Sequence, residues 1–438
     1  MKRSRKIALG ALPVLAAAAV LGTILCWRAN DTSADDVADD TTAMHALGAP
    51  DPLAVARGKV VANAADCAAC HTALGGGASF AGGYALETPF GEIVSTNITP
   101  DREDGIGNWT ERDFFKAIRH GQAPDHFLYP AMPYTAYVQI SDQDMHDLWA
   151  YMRTLAPVHE KPRRTELPFP FNLRIAVAGW NLLFFDNAPF ERDGDHDETW
   201  NRGRYLVDAL GHCGTCHTTK NFLGGDKGGT YLAGGTLAGW HAPDLTGSPA
   251  TGLAAWNASD IATYLRTGSN AHAVAAGPMA EAVEHSTQYM ANTDLAAIAA
   301  YLKTLPAHSD RPGGDALAAS DPAMERGALI YQTQCSACHT PAGKGIAGMA
   351  TRLADNAALR AEDPSSLIHV VLMGGRAART ESNPTAAGMP SFAWRLSDDD
   401  IAAVLTYVRN SNGNGARAVT SDEVASLRSS LGARDSMR

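Results

Sequence analysis

The chain has 438 residues, 45% of them hydrophobic and 19% charged, which suits about three globular domains. Its formal net charge is −11 even though Lys2, Arg3, Arg5 and Lys6 crowd the first six positions, so the body of the chain is acidic. That excludes nucleic acid and an anionic membrane surface as the body's main partner; it suits a basic docking patch or plain solvation.

Behind the basic start, Ile7 to Trp27 runs apolar without a charge, 21 residues that suffice to cross a bilayer core. A cleaved signal has a shorter core, about 7–15 residues, and a small-residue cleavage site; Cys26-Trp27-Arg28 offers none. An uncleaved anchor over 1–30 is therefore favoured over a cleaved signal. It is also favoured over a lipid-modified Cys26, because Thr23-Ile-Leu-Cys26 lacks small residues ahead of the cysteine. The positive-inside rule places the rest of the chain on the periplasmic side of the inner membrane. Residues 31–52, rich in Ala, Asp and Thr, read as a flexible tether.

From there one string recurs three times: Cys67-Ala-Ala-Cys70-His71, Cys213-Gly-Thr-Cys216-His217 and Cys335-Ser-Ala-Cys338-His339. C-x-x-C-H is the attachment signature of a c-type haem. Two thiols at this spacing reach the two vinyl groups on one macrocycle edge, and the histidine supplies an axial nitrogen. Three copies use six of the seven cysteines. A zinc site would pool its ligands four at a time, and nothing pairs the motifs that way. Three covalent haem c groups are expected, bound through Cys67, Cys70, Cys213, Cys216, Cys335 and Cys338.

Each motif sits in one repeated plan. A short helix opens on Arg57-Gly58, Arg202-Gly203 or Arg326-Gly327. After the motif comes a Gly-rich loop, whose clusters Gly75-Gly-Gly77 and Gly224-Gly225 lack the setting of a phosphate loop and read as turns. A second helix follows, from Thr110 to Gly121, Ser259 to Gly268 and Ser365 to Gly374, with capping residues at both ends. A closing helix starts at Ser141, Asn292 or Ser397 and carries Tyr151, Tyr301 or Tyr407. The fold class is all-α: three tandem class I cytochrome c domains at 53–157, 196–306 and 321–410, behind an N-terminal membrane helix. Residues 158–195 form an apolar linker whose Phe169–Phe185 stretch is too short to span a bilayer comfortably. It suits packing between the first two domains, a docking surface, or contact with the membrane. Residues 307–320 form a second linker, and 411–438 a polar tail without a readable motif.

The second axial position separates carrier from catalyst, because methionine there closes the iron to exogenous ligands. Met132, between two prolines in Tyr129-Pro-Ala-Met-Pro-Tyr134, suits the first domain. Met279 in Gly277-Pro278-Met279 suits the second, and Met389 in Gly388-Met389-Pro390 the third. The spacings from His71 to Met132 and from His217 to Met279 are 61 and 62 positions; that from His339 to Met389 is 50. Met290 and His272 compete with Met279, which lacks the following proline. His120, His126, His241 and His369 lack ligand context.

Ser95-Thr-Asn-Ile-Thr-Pro-Asp101, Gly105-Ile-Gly107, the Met132 loop, Gly211-His-Cys-Gly-Thr-Cys-His217 and Ser286-Thr-Gln-Tyr289 together resemble the triple-haem cytochrome c subunit of membrane-bound periplasmic dehydrogenases of acetic acid bacteria and their relatives. The resemblance covers nearly all of 53–410. It implies a catalytic partner subunit of quinoprotein, flavin or molybdopterin type, the last with an iron–sulfur subunit, and electron delivery to ubiquinone or a terminal oxidase. It also implies that this chain has no substrate-oxidising site of its own. Thr88-Pro-Phe-Gly91 resembles the aldehyde dehydrogenase type and favours an aldehyde-oxidising complex over a quinoprotein alcohol or a flavin gluconate or polyol dehydrogenase. The rival classes are a haem peroxidase or gas-binding sensor and a free-standing carrier.

Overall fold

The computed structural model describes residues 30, 35, 37, 41–309 and 314–435. The anchor expected over 1–30 lies, but for Asn30, outside them, and among the described residues no helix is long and apolar enough to cross a membrane. Two compact units are present. One holds the described residues up to Lys59 with His71–Glu191; the other holds Val60–Cys70 and everything from Arg192 on.

The longer helices are α1 Pro52–Ala64, α2 Glu111–His120, α3 Asp142–Met152, α4 Ala176–Phe184, α5 Glu198–Tyr205, α6 Ala258–Thr267, α7 Pro278–His285, α8 Asn292–Leu302, α9 Pro322–Ile330, α10 Ser365–Met373, α11 Asp398–Asn410 and α12 Ser421–Asp435. The all-α expectation needs one correction. Each repeat also carries a two-stranded antiparallel hairpin: β1 Ala85–Thr88 with β2 Gly91–Val94, β3 Gly235–Leu237 with β4 Trp240–Ala242, and β5 Gly375–Arg376 with β6 Gly388–Met389. These strands are two to four residues long, too short for period-two alternation to register in the sequence.

The Arg-Gly pairs explain how opening and closing helices cross. A Cβ on Gly58 would lie 1.8 Å from the Asp147 carbonyl oxygen, on Gly203 2.0 Å from that of Ala297, and on Gly327 2.2 Å from that of Ala403. Each would also press on the Cβ of Tyr151, Tyr301 or Tyr407. Only glycine lets these helices approach so closely. The neighbouring arginine then reaches a carboxylate on the partner helix: Arg57 Nε to Asp147 at 2.6 Å, Arg202 Nε to Asp294 at 2.9 Å, and Arg326 Nη2 to Asp400 at 2.6 Å. All three arginines are more than a third exposed, so solvent screens these pairs and they add little to stability. The close packing of the helices carries the stability.

Helix ends follow local chemistry. Thr110 and Asp113 form a capping box on α2, which Gly121 ends at φ 63°. Asn257 and Asp260 do the same for α6, two residues before the expected Ser259 start. On α8 the N-cap is Ala291; Asn292, expected as the cap, accepts a hydrogen bond from Arg266 instead. Arg266 and Arg119 occupy matching places two residues before the helix-ending glycine. Arg119 binds the Ile140 carbonyl and Asp142, and Arg266 the Met290 carbonyl and Asn292, so each pins the start of its closing helix. The core of the first unit centres on Phe114, Phe115, Met145, Leu148 and Trp149, each 3% exposed or less, worth about 1.5–3 kcal/mol apiece.

Two stretches depart from expectation. The tether over 31–52 is fastened at its described residues. The Asp35 carboxylate, its side chain 9% exposed, lies between Arg119 Nη1 at 2.9 Å and His120 Nε2 at 3.1 Å, and Met44 is 4% exposed. The polar tail forms α12, and its Val424 and Leu431, with Val419 ahead of it, join Ile368, Leu372, Ile401 and Leu405 in one apolar cluster. Three buried apolar residues among many polar ones were enough to close that core.

Candidate haem sites

The three C-x-x-C-H strings adopt the same local form. Each occupies a short helical turn: Cys67–Cys70 with His71 after it, Gly214–His217 and Ser336–His339. In each, the first thiol is half-buried, the second is exposed, and no disulfide joins them. A π-helical segment precedes the motif in the second and third repeats, Leu206–Leu210 and Tyr331–Cys335, and α1 ends shortly before the first.

The histidine is held from both sides. Its ring Nδ1 meets a downstream backbone carbonyl: Thr96 at 2.7 Å for His71, Pro243 at 2.7 Å for His217 and Thr351 at 3.0 Å for His339. A carbonyl can only accept, so Nδ1 carries the proton and Nε2 keeps its lone pair for a metal. Burial holds the His71 and His217 rings below their ordinary pKa, against the opposing pull of that carbonyl, and so favours the neutral form a ligand needs. The main-chain carbonyl of the same histidine accepts the N–H of Gly82, Gly234 or Gly345, at 2.8, 2.9 and 3.0 Å. All three glycines have positive φ. A Cβ on Gly82 would meet the Thr96 carbonyl carbon at 2.4 Å, and on Gly345 that of Thr351 at 2.7 Å. These glycines therefore let the Nδ1-binding strand come close. The Gly-rich loops signalled turns; their role in fixing the imidazole was not visible in the sequence.

Two free thiols on one turn, beside an imidazole with a fixed tautomer and a free Nε2, fit a thioether-bound haem three times over. The first and second sites also share contacts. His212, one residue before Cys213, hydrogen-bonds the backbone of Ala65, two residues before Cys67, and α7 packs against the Cys67–Cys70 turn. Burial drives His212 down to about pKa 4.

The three methionines lie at different kinds of site. Met132 sits in a loop where Tyr134 N–H donates to its carbonyl, and it packs beside Tyr134, Val138 and Phe185. Met279 is in the first turn of α7, half-buried against Ala275, Ala280, Val283 and Ala378. Its neighbour Gly277 has φ 56° and lies under the Trp240 ring. Met389 is on β6, opposite Gly375. Of the competitors, Met290 is 3% exposed, and His272 lies 3.2 Å from Asp260 and stacks on Trp256. The remaining histidines have partners of their own. His120 meets Asp35 and Asn187, His126 meets Asp125, and the His241 ring Nδ1 meets Thr236 Oγ1 at 3.1 Å. His369 stacks on Trp240 at 4.0 Å.

This repeated arrangement defines a multihaem c-type cytochrome class. The Cytochrome c family description matches residues 55–156, 201–306 and 324–412, and the chain belongs to that family, with three domains suited to three covalently bound haem c groups. It is 41% identical to the fructose dehydrogenase cytochrome subunit of Gluconobacter japonicus, over 85% of this chain and 82% of that protein. It is 42% identical to the gluconate 2-dehydrogenase cytochrome c subunit of Pantoea cypripedii, over 85% and 89%. Against the cytochrome c subunit of the quinone alcohol dehydrogenase of Gluconobacter oxydans the identity is 38%, over 88% and 84%.

Proposed function

We propose that this chain is the triple-haem electron-transfer subunit of a membrane-bound periplasmic dehydrogenase complex. The observation that carries this reading is the near end-to-end match to cytochrome subunits named for such dehydrogenases. Cys67 and Cys70, Cys213 and Cys216, and Cys335 and Cys338 attach the haems. His71 with Met132, His217 with Met279, and His339 with Met389 would hold the three irons. Bound in this way, haem iron supplies one-electron storage and release. The protein's share would be to fix each imidazole through the backbone carbonyl that its Nδ1–H meets, to offer a methionine sulfur, and to hold neighbouring attachment segments together. The His212–Ala65 contact between the first two supports passage of electrons along the chain. The donor is a separate catalytic subunit of molybdopterin, quinoprotein or flavin type, in the first case with an iron–sulfur subunit. The acceptor is ubiquinone or a terminal oxidase. The N-terminal segment anchors the chain in the inner membrane.

The donor's substrate follows less directly. Thr88-Pro-Phe-Gly91, the string that favours an aldehyde-oxidising complex, is the β1–β2 turn. Thr88 Oγ1 donates to the Gly91 carbonyl at 2.6 Å and accepts from Phe90 N–H at 3.1 Å, so turn chemistry accounts for it. The named relatives add support for a partner that oxidises a sugar, sugar-acid or alcohol hydroxyl, and we favour that donor class. Carbon monoxide difference spectra test the carrier reading. Reduced protein should leave the gas largely unbound; ready binding at one haem would favour a peroxidase or sensor instead.

A further inference from the structure

The apolar linker has two faces. Inward, Val177, Ala178, Asn181 and Phe185 are 9% exposed or less, and Tyr134 Oη donates to Asn181 Oδ1 at 2.6 Å, behind the Met132 loop. This inner face packs on the first domain's own methionine loop. Outward, Phe169, Ile175 and Leu183 are 78%, 72% and 65% exposed, with Phe171 and Leu173 beside them in sequence. Ile175, Gly179 and Leu183 recur every four residues, so they line one side of α4. Large aliphatic and aromatic side chains this bare, gathered on 17 residues of linker, mark a contact surface.

The end of the N-terminal apolar run tells what covers it. Asn30, three residues after Trp27, is bound to the same helix: Asn30 Nδ2 donates to the Ala178 carbonyl at 3.3 Å, and Asn181 Nδ2 donates to Asn30 Oδ1 at 2.8 Å. Gln122 Nε2 holds the Asn30 carbonyl at 2.8 Å. Trp27 closes the apolar run three residues before Asn30, and three residues of extended chain reach only about 10 Å.

We propose that the outward face of residues 169–185 rests in the interfacial layer of the phospholipid bilayer that residues 7–27 cross. The inference rests on the anchor reading. It makes Asn30 a positioning residue that fixes the first haem domain, Met132 loop inward, at a set orientation to the membrane. An apolar face of this kind sinks about 5–10 Å into the headgroup boundary.

Spin labels on the full holo-chain in phosphatidylcholine–phosphatidylglycerol vesicles test it. Cys26→Ser leaves no native thiol outside the haem thioethers, so Ile175→Cys or Leu183→Cys can be labelled singly, with exposed Glu103→Cys as reference. The oxygen-to-nickel-chelate collision ratio at Ile175 and Leu183 should exceed that at Glu103 severalfold. Equal ratios in a chain that withstands carbonate extraction would overturn the proposal and leave the anchor standing. A chain that carbonate strips from the vesicles would overturn the anchor reading, and the proposal with it. Protection of Ile175 that appears only when the catalytic subunit is added would overturn it in favour of a protein interface.

Discussion

Gly203→Ala is the sharpest test of the repeated helix crossing. The new methyl would stand 2.0 Å from the Ala297 carbonyl oxygen, 2.6 Å from its carbon and 2.9 Å from Tyr301 Cβ. None of these is the movable end of a side chain. Two are backbone atoms inside α8, so α5 and α8 must part by about 1 Å before the nearest contact becomes tolerable. Overpacking of this kind costs about 1–3 kcal/mol. At about 2–4 °C per kcal/mol for a unit of this size, Tm should fall by about 2–12 °C. Gly228→Ala is the control: its site has open space within 4 Å and no positive φ. Differential scanning calorimetry of the holo-protein reads both. A Gly203→Ala protein that melts with the wild type, or a Gly228→Ala protein that falls equally far, would refute the close-crossing argument.

Other outcomes follow from the sites. Met279→Ala should let the reduced second haem bind carbon monoxide, whereas Met290→Ala should leave it closed and cost about 2–5 kcal/mol as a core deletion; the reverse pattern would move the ligand to Met290. Gly345→Ala should push the Thr351 carbonyl off His339, weaken that ligand and raise the third haem's potential by tens of millivolts in a spectroelectrochemical titration. Burial pushes the Asp35 carboxyl up, but the bonds from His120 and Arg119 outweigh it and hold it below its ordinary 3.8. Its contribution is therefore present at neutral pH and lost only as pH falls below about 3.8. Asp35→Asn should lower Tm at pH 7 in scanning calorimetry, and the difference from the wild type should vanish as pH falls through that acid range.

Much of the site was legible because haem attachment needs fixed residue types at fixed spacing: Cys67, Cys70 and His71 announce themselves, and so do their two repeats. Arg57-Gly58 and its counterparts were visible as a recurrence, but their reason, a carbonyl on a helix about 90 residues away, is a tertiary contact that no local pattern carries. The bonds from Thr96, Pro243 and Thr351 are made by backbone, so residue identity hardly marks them. Arg119 and Arg266 carried a readable signal, the same place before a helix-ending glycine; it was obscured because the third repeat has Leu372 there. The hairpins and α12 escaped because a few apolar residues sufficed once a neighbouring core was present to receive them.

The central claim is that this chain takes electrons from a substrate-oxidising subunit. Its most direct test is purification of the full chain from its native membrane in mild detergent, followed by anaerobic addition of fructose, gluconate, an alcohol or an aldehyde to the isolated complex. The account predicts a co-purifying large subunit with its own redox cofactor and reduction of all three haems by one of these substrates. A monomer with no such subunit, its haems staying oxidised with every substrate, would contradict it.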